Sequence, residues 1–222
     1  MSDLRLIVVR HGVTDWNRQG RFQGHLDPPL SEAGHREARL VAERIAADHE
    51  LRPTRIVSSS LARALETAAA IATATGLEAE ADPRLMEIGQ GEWEGRTHAE
   101  LEVADAERYR AWRDAAGVRQ PPGGEPIASA TERVGELLAE LLAGAPSTVC
   151  LVSHGGTLRI LARALFELRD DRSWALDVDN ASIGMATRAG SRWRLDRWND
   201  TRHLLGHAPT HVDESEGRPL AL

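Results

Sequence analysis

The chain has 222 residues, of which 41% are hydrophobic and 27% are charged, a composition typical of a folded globular domain rather than a disordered chain. Its 34 acidic residues outnumber the 27 basic ones, and the net charge of -7 argues against a general nucleic-acid or anionic-membrane binder. All 27 basic residues are arginine. Schiff-base, pyridoxal-phosphate and P-loop chemistries are therefore excluded, because each of them needs a lysine.

The single cysteine, Cys150, lies within an apolar run. One thiol can form neither an internal disulfide framework nor a multi-thiolate metal site. Near the start of the chain, the apolar run at residues 6–9 is too short for a signal peptide or a membrane span. We therefore expect a soluble, cytoplasmic protein with no membrane partner and no nucleic-acid partner.

Buried-strand patterns and helical spacing alternate along the first part of the chain. Residues 6–9 form a β-branched apolar run, which is typical of a strand buried on both faces. Apolar residues at helical spacing then predict a helix that begins after Ser31. Residues 55–57 are a second short strand, and the helix that follows stops at Gly76. This alternation predicts an α/β fold.

The second part of the chain continues the alternation after an interruption. The pattern weakens between residues 89 and 126, where Leu101, Tyr109 and Trp112 suggest a helix with a poor apolar face. Residues 148–152 predict a third buried strand, which a further helix follows. Residues 183–187 and 193–198 are then typical of a hairpin.

Two histidines directly follow predicted strands, and each of them precedes a glycine. His11 comes after the first strand, and His154 comes after the third. Ligands of open α/β sheets bind beyond the carboxyl ends of the strands, so these histidines are expected to share one crevice. Arg10 and Arg63 add positive charge that suits a phosphate. One such histidine alone is more often structural, but the four residues together favour a phosphate site.

Seven short motifs occur in a fixed order along the chain. They are RHGVTDWN at 10–17, GRFQG at 20–24, LSEAG at 30–34, SSSLARALET at 58–67, EIGQGEWEG at 87–95, PGGE at 122–125 and SHGG at 153–156. This set resembles the signature of the histidine phosphatase superfamily, in its phosphoglycerate-mutase-like branch 1. A weaker echo follows at residues 199–204.

The resemblance implies roles for nine residues. His11 would be the nucleophile that forms a phosphohistidine, and Glu87 would be the general acid and base. Arg10, Arg63 and His154 would hold the phosphoryl group, since fixed guanidinium forks can stabilise its charge without a metal. Further contacts to the substrate phosphate would come from Asn17, Gln23, Gly24 and Gly155. No metal and no cofactor are implied.

The resemblance also implies an architecture. The expected fold is a three-layer α/β/α sandwich with a mostly parallel central sheet, one antiparallel edge and a helical insertion over the active site. Residues 1–204 would form a single domain, in which residues 89–126 are the insertion and form a cap. From residue 203 onward the sequence itself is polar and contains proline and glycine, so residues 205–222 are expected to form a poorly ordered tail. The expected partner is a small phosphorylated metabolite. The sequence does not decide between a monomer and a homodimer.

Three functions remain under consideration. A phosphatase of small phosphomonoesters is favoured, because the segment after Glu87 is short and the chain lacks lysine, whereas mutases of this family carry a longer segment and use lysine. A 2,3-bisphosphoglycerate-dependent phosphoglycerate mutase is the alternative. A catalytically silent phosphate-binding module is disfavoured, because Arg10, His11, Arg63, Glu87 and His154 are all present. A metal hydrolase that uses His11, His154 and Glu87 is the least favoured function. A chelator would abolish the activity of such an enzyme.

Overall fold

A computed structural model describes residues 4–114, 120–144, 147–168 and 175–206. These residues form one six-stranded sheet and seven α-helices. The strands are β1 (Leu4–Arg10), β2 (Arg55–Ser58), β3 (Ala79–Ala81), β4 (Ser147–Ser153), β5 (Ile183–Ala189) and β6 (Arg192–Asp200). The helices are α1 (Asp15–Arg18), α2 (Glu32–Ala47), α3 (Ala62–Thr75), α4 (His98–Ala104), α5 (Ala106–Asp114), α6 (Ile127–Ala143) and α7 (Gly155–Phe166).

The sheet has the strand order β3-β2-β4-β1-β5-β6. The first four strands in this order run parallel, whereas β5 is antiparallel to β1, and β6 to β5. The prediction of a mostly parallel sheet with one antiparallel edge is thus confirmed. The register pairs Arg10 with Ser153 and Ser58 with Val152. The carboxyl ends of β1, β2 and β4 therefore lie side by side.

Helices cover both faces of the sheet. On β1, Leu6 and Val8 contribute to a core shared with α6 and α7, whereas Ile7 and Val9 contribute to a core shared with α2 and α3. This alternation explains why the strand reads as one continuous apolar run, since neither face is open to water. The predicted three-layer α/β/α sandwich is confirmed.

Three elements were not predicted from the sequence: the four-residue helix α1, the strand β3 and the helix α6. The strand β3 is only three residues long, with one half-buried and two exposed positions, so it carries no hydrophobic pattern. The helix α6 buries Val134, Leu137 and Leu141, and the helical spacing of these apolar residues was sufficient to predict the helix from the sequence. The other predicted strands and helices are present, and α3 ends directly before Gly76 as predicted.

The region with the weak pattern contains two helices rather than one. α4 and α5 are separated at Asp105, whose carboxylate accepts a 2.8 Å hydrogen bond from the indole of Trp93. Trp93, Leu101 and Tyr109 form a small buried cluster, against which Phe22 packs. Because Phe22 belongs to the loop after α1, this contact joins the region of α4 and α5 to the segment that also carries Gln23 and Gly24.

Several expectations concern the chain as a whole. The division into one domain of residues 1–204, with residues 89–126 as a cap, stays a prediction. The predicted tail at residues 205–222 lies almost entirely outside the described residues, which end at residue 206. Among the helices of the described ranges, none combines the length and the apolar character that crossing a bilayer requires.

Candidate active site

The two histidines lie together at the carboxyl ends of β1 and β4. The ring centroids of His11 and His154 are 5.1 Å apart, and both rings are buried. The predicted crevice at the ends of neighbouring strands therefore contains both side chains. The first residues of α3 and α7 border the same region, because these helices follow β2 and β4.

The hydrogen bonding of His11 fixes the position of its proton. Nδ1 lies 2.7 Å from the carbonyl oxygen of Gly12, which can only accept a hydrogen bond. Nδ1 is therefore protonated, and Nε2 carries the lone pair. Burial lowers the pKa of His11 well below its ordinary value, and the charges of Arg63 and Arg10 lower it further. At neutral pH the side chain is a neutral imidazole with a nucleophilic Nε2.

The main chain around His11 is held from several directions. Its N–H donates to the carbonyl of Ser153, and its own carbonyl accepts from the N–H of Ala181 and the amide of Asn180. At the next residue, a Cβ on Gly12 would lie 2.5 Å from the carbonyl oxygen of Gly34. Only glycine fits this approach, which brings the loop after β1 against the start of α2.

Arg63 is fully buried at the start of α3. Its guanidinium donates hydrogen bonds of 2.9 Å to the carbonyl oxygens of Gly24 and Leu26, so it braces the loop that carries Gln23 and Gly24. Burial lowers the pKa of Arg63 to about 10, against the opposing charges of Glu87 and Asp27. The guanidinium is therefore still a cation at neutral pH.

Arg10 and Gly155 bring positive potential to the same place. The guanidinium of Arg10 is almost buried and donates a 2.6 Å hydrogen bond to the carbonyl of Val178. A Cβ on Gly155 would lie 3.6 Å from Cζ of Arg10, so this arginine lies against the first turn of α7. A helix N-terminus and a guanidinium both favour a bound anion.

Thr14 orients the side-chain amides of Asn17 and Gln23, both of which were predicted to contact the substrate phosphate. Its hydroxyl lies 3.0 Å from Oδ1 of Asn17 and 3.2 Å from Oε1 of Gln23, and its N–H donates to the same Oδ1. The oxygen ends of both amides therefore face Thr14. Their NH₂ groups, which are the ends that can donate to a phosphate, point away from it.

Glu87 is held at the N-terminus of α7. Its carboxylate accepts hydrogen bonds from the N–H groups of Ile88, Gly156 and Thr157 at 2.9 to 3.1 Å. Its backbone carbonyl accepts a 2.9 Å hydrogen bond from Nε2 of His25. The charge of Glu87 opposes the pKa decrease of Arg63, which shows that the two groups are close enough to interact.

All nine residues singled out in the sequence border this one region. The structure also adds five supporting residues that the motifs did not single out individually: Thr14, Glu37, Ser59, Thr67 and Asn180. Glu37 is a buried carboxylate that accepts from the N–H of Val13, and burial raises its pKa. Thr67 accepts from the N–H of Gly12. Three of the five, Thr14, Ser59 and Thr67, lie within a motif. Thr14 has its partners nearby in the sequence, but the partners of the other four are distant, so only the fold reveals them.

The charged and metal-binding side chains near the two histidines indicate which ligand this site can hold. In the described ranges, no group of three or more His, Cys, Asp or Glu side chains is arranged to hold a metal ion. The positive charges of Arg10 and Arg63 lower the pKa values of both histidines. This arrangement can bind a phosphate dianion and present Nε2 of His11 to its phosphorus.

Comparisons with known proteins agree with this geometry. The family model described as histidine phosphatase superfamily (branch 1) matches residues 6–201. The chain is 40% identical over 218 residues to glucosyl-3-phosphoglycerate phosphatase of Mycobacterium tuberculosis, which covers 90% of this chain and 96% of the relative. It is 35% identical over 202 residues to phosphoserine phosphatase 1 of Hydrogenobacter thermophilus, covering 90% and 94%.

The structural comparison gives the same relationship. A solved structure of a mycobacterial glucosyl-3-phosphoglycerate phosphatase in complex with VO3 has a TM-score of 0.80 and 41% sequence identity. The match covers 89% of this chain and 99% of that one. The match over residues 6–201 and these similarities confirm the resemblance seen in the motifs. The chain belongs to branch 1 of the histidine phosphatase superfamily and is a phosphomonoester hydrolase of that type.

Proposed function

We propose that this protein hydrolyses its phosphomonoester without a metal, through a phosphohistidine at Nε2 of His11. The observation that carries the proposal is the 2.7 Å hydrogen bond from Nδ1 of His11 to the carbonyl of Gly12. This bond leaves the lone pair on Nε2, and burial together with two arginines keeps the ring neutral. A neutral imidazole among fixed cations is the arrangement that attack on a phosphate dianion needs.

In the first half-reaction, Nε2 of His11 attacks phosphorus and the bond from phosphorus to the substrate alcohol oxygen breaks. Arg10, Arg63 and His154 stabilise the charge on the transferring phosphoryl oxygens. Glu87, as the carboxylic acid, gives its proton to the departing alcohol. Asn17 and Gln23 donate to the phosphate through their amide NH₂ groups, which face away from Thr14.

In the second half-reaction, water attacks the phosphohistidine. The carboxylate of Glu87 takes a proton from this water as the new phosphorus–oxygen bond forms and the bond to Nε2 breaks. Inorganic phosphate leaves, and His11 returns to its neutral state. The same residue can serve both half-reactions because the leaving alcohol and the attacking water occupy the same side of the phosphoryl group.

The names of two relatives support a proposal for the substrate class. Both are named for phosphate esters that carry a carboxylate, glucosyl-3-phosphoglycerate and phosphoserine. The relative named for glucosyl-3-phosphoglycerate shares the higher identity, 40% against 35%. We therefore place glucosyl-3-phosphoglycerate first among the candidate substrates and phosphoserine second.

The mutase alternative is less well supported. A mutase must retain a bisphosphate and return its phosphoryl group to the substrate. The segment after Glu87 is the short form that resembles the phosphatases, and no lysine occurs in the chain. The relative at 40% identity is named as a phosphatase, whereas the relatives at 35% identity include both a phosphatase and probable phosphoglycerate mutases.

The experiment is a panel of phosphomonoesters assayed with the purified protein in the presence of a chelator. The panel contains glucosyl-3-phosphoglycerate, phosphoserine, α-ribazole phosphate and 3-phosphoglycerate, the last with and without 2,3-bisphosphoglycerate. We expect phosphate release at an undiminished rate under chelation, with glucosyl-3-phosphoglycerate as the substrate of highest kcat/KM. Loss of activity on chelation would contradict the metal-independent mechanism, and isomerisation of 3-phosphoglycerate without phosphate release would favour the mutase.

A further inference from the structure

The side chain of Ser59 directly contacts the second histidine of the site. Ser59 lies between β2 and α3 and is fully buried. Its Oγ is 2.7 Å from Nε2 of His154 and 3.2 Å from the backbone nitrogen of Leu61. The backbone N–H of Leu61 can only donate, so it uses a lone pair of Oγ and leaves the hydroxyl hydrogen available.

The hydroxyl hydrogen of Ser59 has one acceptor. Among the hydrogen bonds in the described part of the chain, Nε2 of His154 is the sole partner of this hydroxyl that can accept. A fully buried hydroxyl needs such an acceptor, because water cannot replace it. Nε2 therefore accepts, and the proton of a neutral His154 is on Nδ1. Burial lowers the pKa of His154, and the charges of Arg63 and Arg10 lower it further, so the ring is neutral at pH 7.

Nδ1 of His154 is then an N–H donor without a protein partner. It is completely buried and has no hydrogen-bond acceptor in the described part of the chain. The ring that carries it lies 5.1 Å, between centroids, from the ring of His11, where the phosphoryl group would bind. A buried donor with no acceptor is unfavourable in the resting protein, and an anionic oxygen would satisfy it.

We propose that Ser59 is a positioning residue that fixes His154 as its Nδ1–H tautomer, so that His154 acts as a neutral hydrogen-bond donor to the phosphoryl group. With the other tautomer, Nδ1 would present a lone pair to the phosphoryl oxygens and repel them. The hydrogen bonds of the Ser59 hydroxyl within the described residues go to Leu61 and His154 and not to His11, so in this role Ser59 acts through the ring of His154. This inference rests on the proposed function, since it concerns the same phosphoryl site.

The first test is the tautomer itself, measured on the unmodified protein by long-range ¹H–¹⁵N correlation of ¹⁵N-histidine-labelled material. The His154 signals are assigned by their loss in His154→Gln. We expect Nδ1 to have the chemical shift of a protonated nitrogen and Nε2 that of an unprotonated one. A protonated Nε2 with a bare Nδ1 would overturn the proposal, whatever the kinetics show.

The second test compares Ser59→Ala with Ser58→Ala. Ser58 is a matched control, because it is equally buried but its hydroxyl donates to the backbone carbonyl of Ser59 and not to His154. In Ser59→Ala we expect the Nδ1 proton to be partly lost to Nε2. We also expect kcat/KM to fall about 10- to 100-fold and the inhibition constant of inorganic phosphate to rise by a similar factor, the effect of one hydrogen bond to a charged group.

In Ser58→Ala, the tautomer and both constants should stay within about twofold of wild type. Equal kinetics in the two variants, or an unchanged tautomer in Ser59→Ala, would overturn the positioning role. The nitrogen shifts of the resting protein do not depend on catalysis. Absence of phosphate on His11 would therefore remove the proposed function, while the tautomer measurement would still decide the assignment to Ser59.

Discussion

Nδ1 of His11 donates a 2.7 Å hydrogen bond to the carbonyl oxygen of Gly12, the next residue in the chain. A backbone carbonyl is part of the fold and cannot rotate away, so it fixes both the orientation of the imidazole and its tautomer. Gly12 can hold this position because it lies against Gly34 with no room for a side chain. The ring nitrogen that carries the lone pair is thus determined by packing between the loop after β1 and the start of α2.

Replacement of Arg63 by lysine tests whether phosphate binding requires the planar guanidinium of this residue. Arg63→Lys keeps a positive charge but cannot donate to the carbonyls of both Gly24 and Leu26 and also present a fork to a phosphate. We expect kcat/KM to fall roughly 10- to 1,000-fold, the effect of losing one to three charge-assisted hydrogen bonds. Steady-state kinetics with the preferred substrate measures this.

The matched control is Arg36→Lys, since Arg36 is half-exposed and pairs with Glu32 on the surface of α2. This variant should retain wild-type kinetics. If Arg63→Lys also did so, Arg63 would have a structural role only and would not contact the phosphate.

Leaving-group dependence tests the acid role of Glu87. An alkoxide leaves poorly without a proton, whereas nitrophenolate leaves readily without one. Glu87→Gln should therefore slow the pre-steady-state burst for an alkyl phosphate by about 10² to 10⁴. The burst with p-nitrophenyl phosphate should slow far less. Stopped-flow measurement of both bursts gives the ratio.

This ratio separates chemistry from positioning. The side chain also accepts hydrogen bonds from Gly156 and Thr157, so the substitution disturbs the start of α7 for any substrate. That disturbance is common to both leaving groups and cancels in the ratio. Glu92→Gln, at an exposed position of the same segment, should leave both bursts unchanged. Equal losses for the two leaving groups in Glu87→Gln would assign the proton to another residue.

Thr14→Val tests the orientation of the two amides. The variant keeps the shape of the side chain but removes the hydroxyl between Oδ1 of Asn17 and Oε1 of Gln23. We expect the inhibition constant of inorganic phosphate to rise about 2- to 10-fold, as neutral hydrogen bonds contribute roughly 0.5 to 1.5 kcal/mol each. Competition with the substrate measures it.

Thr97→Val provides the comparison, because Thr97 caps α4 in the same way that Thr14 caps α1. Both variants lose an N-cap and should lose about 0.5 to 2 kcal/mol of unfolding free energy. Only Thr14→Val should weaken phosphate binding. A similar rise of the inhibition constant in both would mean that helix capping, rather than amide orientation, is responsible.

The buried histidines predict how stability depends on pH. Burial is the main reason why the pKa values of His11 and His154 lie well below 6.5 in the folded protein. Below pH 6.5 the unfolded chain binds protons that the folded chain does not, so the free energy of unfolding decreases as the pH falls. Each histidine contributes a slope of up to about 1.4 kcal/mol per pH unit, and above pH 6.5 this contribution levels off.

Urea denaturation between pH 5.0 and 8.0 measures that slope. His154→Gln should reduce it below pH 6.5, whereas His49→Gln, at an exposed position, should leave it unchanged. A slope that is the same in wild type and His154→Gln would show that this histidine is protonated in the folded state as readily as in the unfolded one.

The sequence was sufficient for the residues whose environment is local. His11 and His154 could be found because each follows a buried strand and precedes a glycine, and parallel strands bring their carboxyl ends to the same edge. The strand pattern also predicted that β1 is buried on both faces, since residues 6–9 are all apolar, whereas the three layers were implied by the family resemblance. Glu87 has no such local signal. Its position in the site depends on α7, which supplies the N–H groups that hold it, and only the family resemblance singled it out.

The supporting contacts of Glu37, Ser59, Thr67 and Asn180 could not be predicted, because they join residues far apart in the chain. Ser59 and His154 are 95 positions apart, and Asn180 reaches His11 across 169. No periodicity or turn rule encodes such a pair; it exists only once β2 and β4 lie in register. The break between α4 and α5 was missed for a related reason. Asp105 ends α4 where its carboxylate bonds to Trp93, a contact that helical spacing alone does not reveal.

The most direct test of the account is chemical detection of the phosphoryl group on His11. The protein is mixed with ³²P-labelled substrate, quenched with alkali within the burst phase and digested, and the labelled peptide is identified. We expect a phosphate that is stable to alkali and labile to acid, located on the peptide with His11 and absent from His11→Ala, whose turnover should fall by orders of magnitude. A label on another residue, or more than a few per cent of wild-type turnover in His11→Ala, would contradict the mechanism.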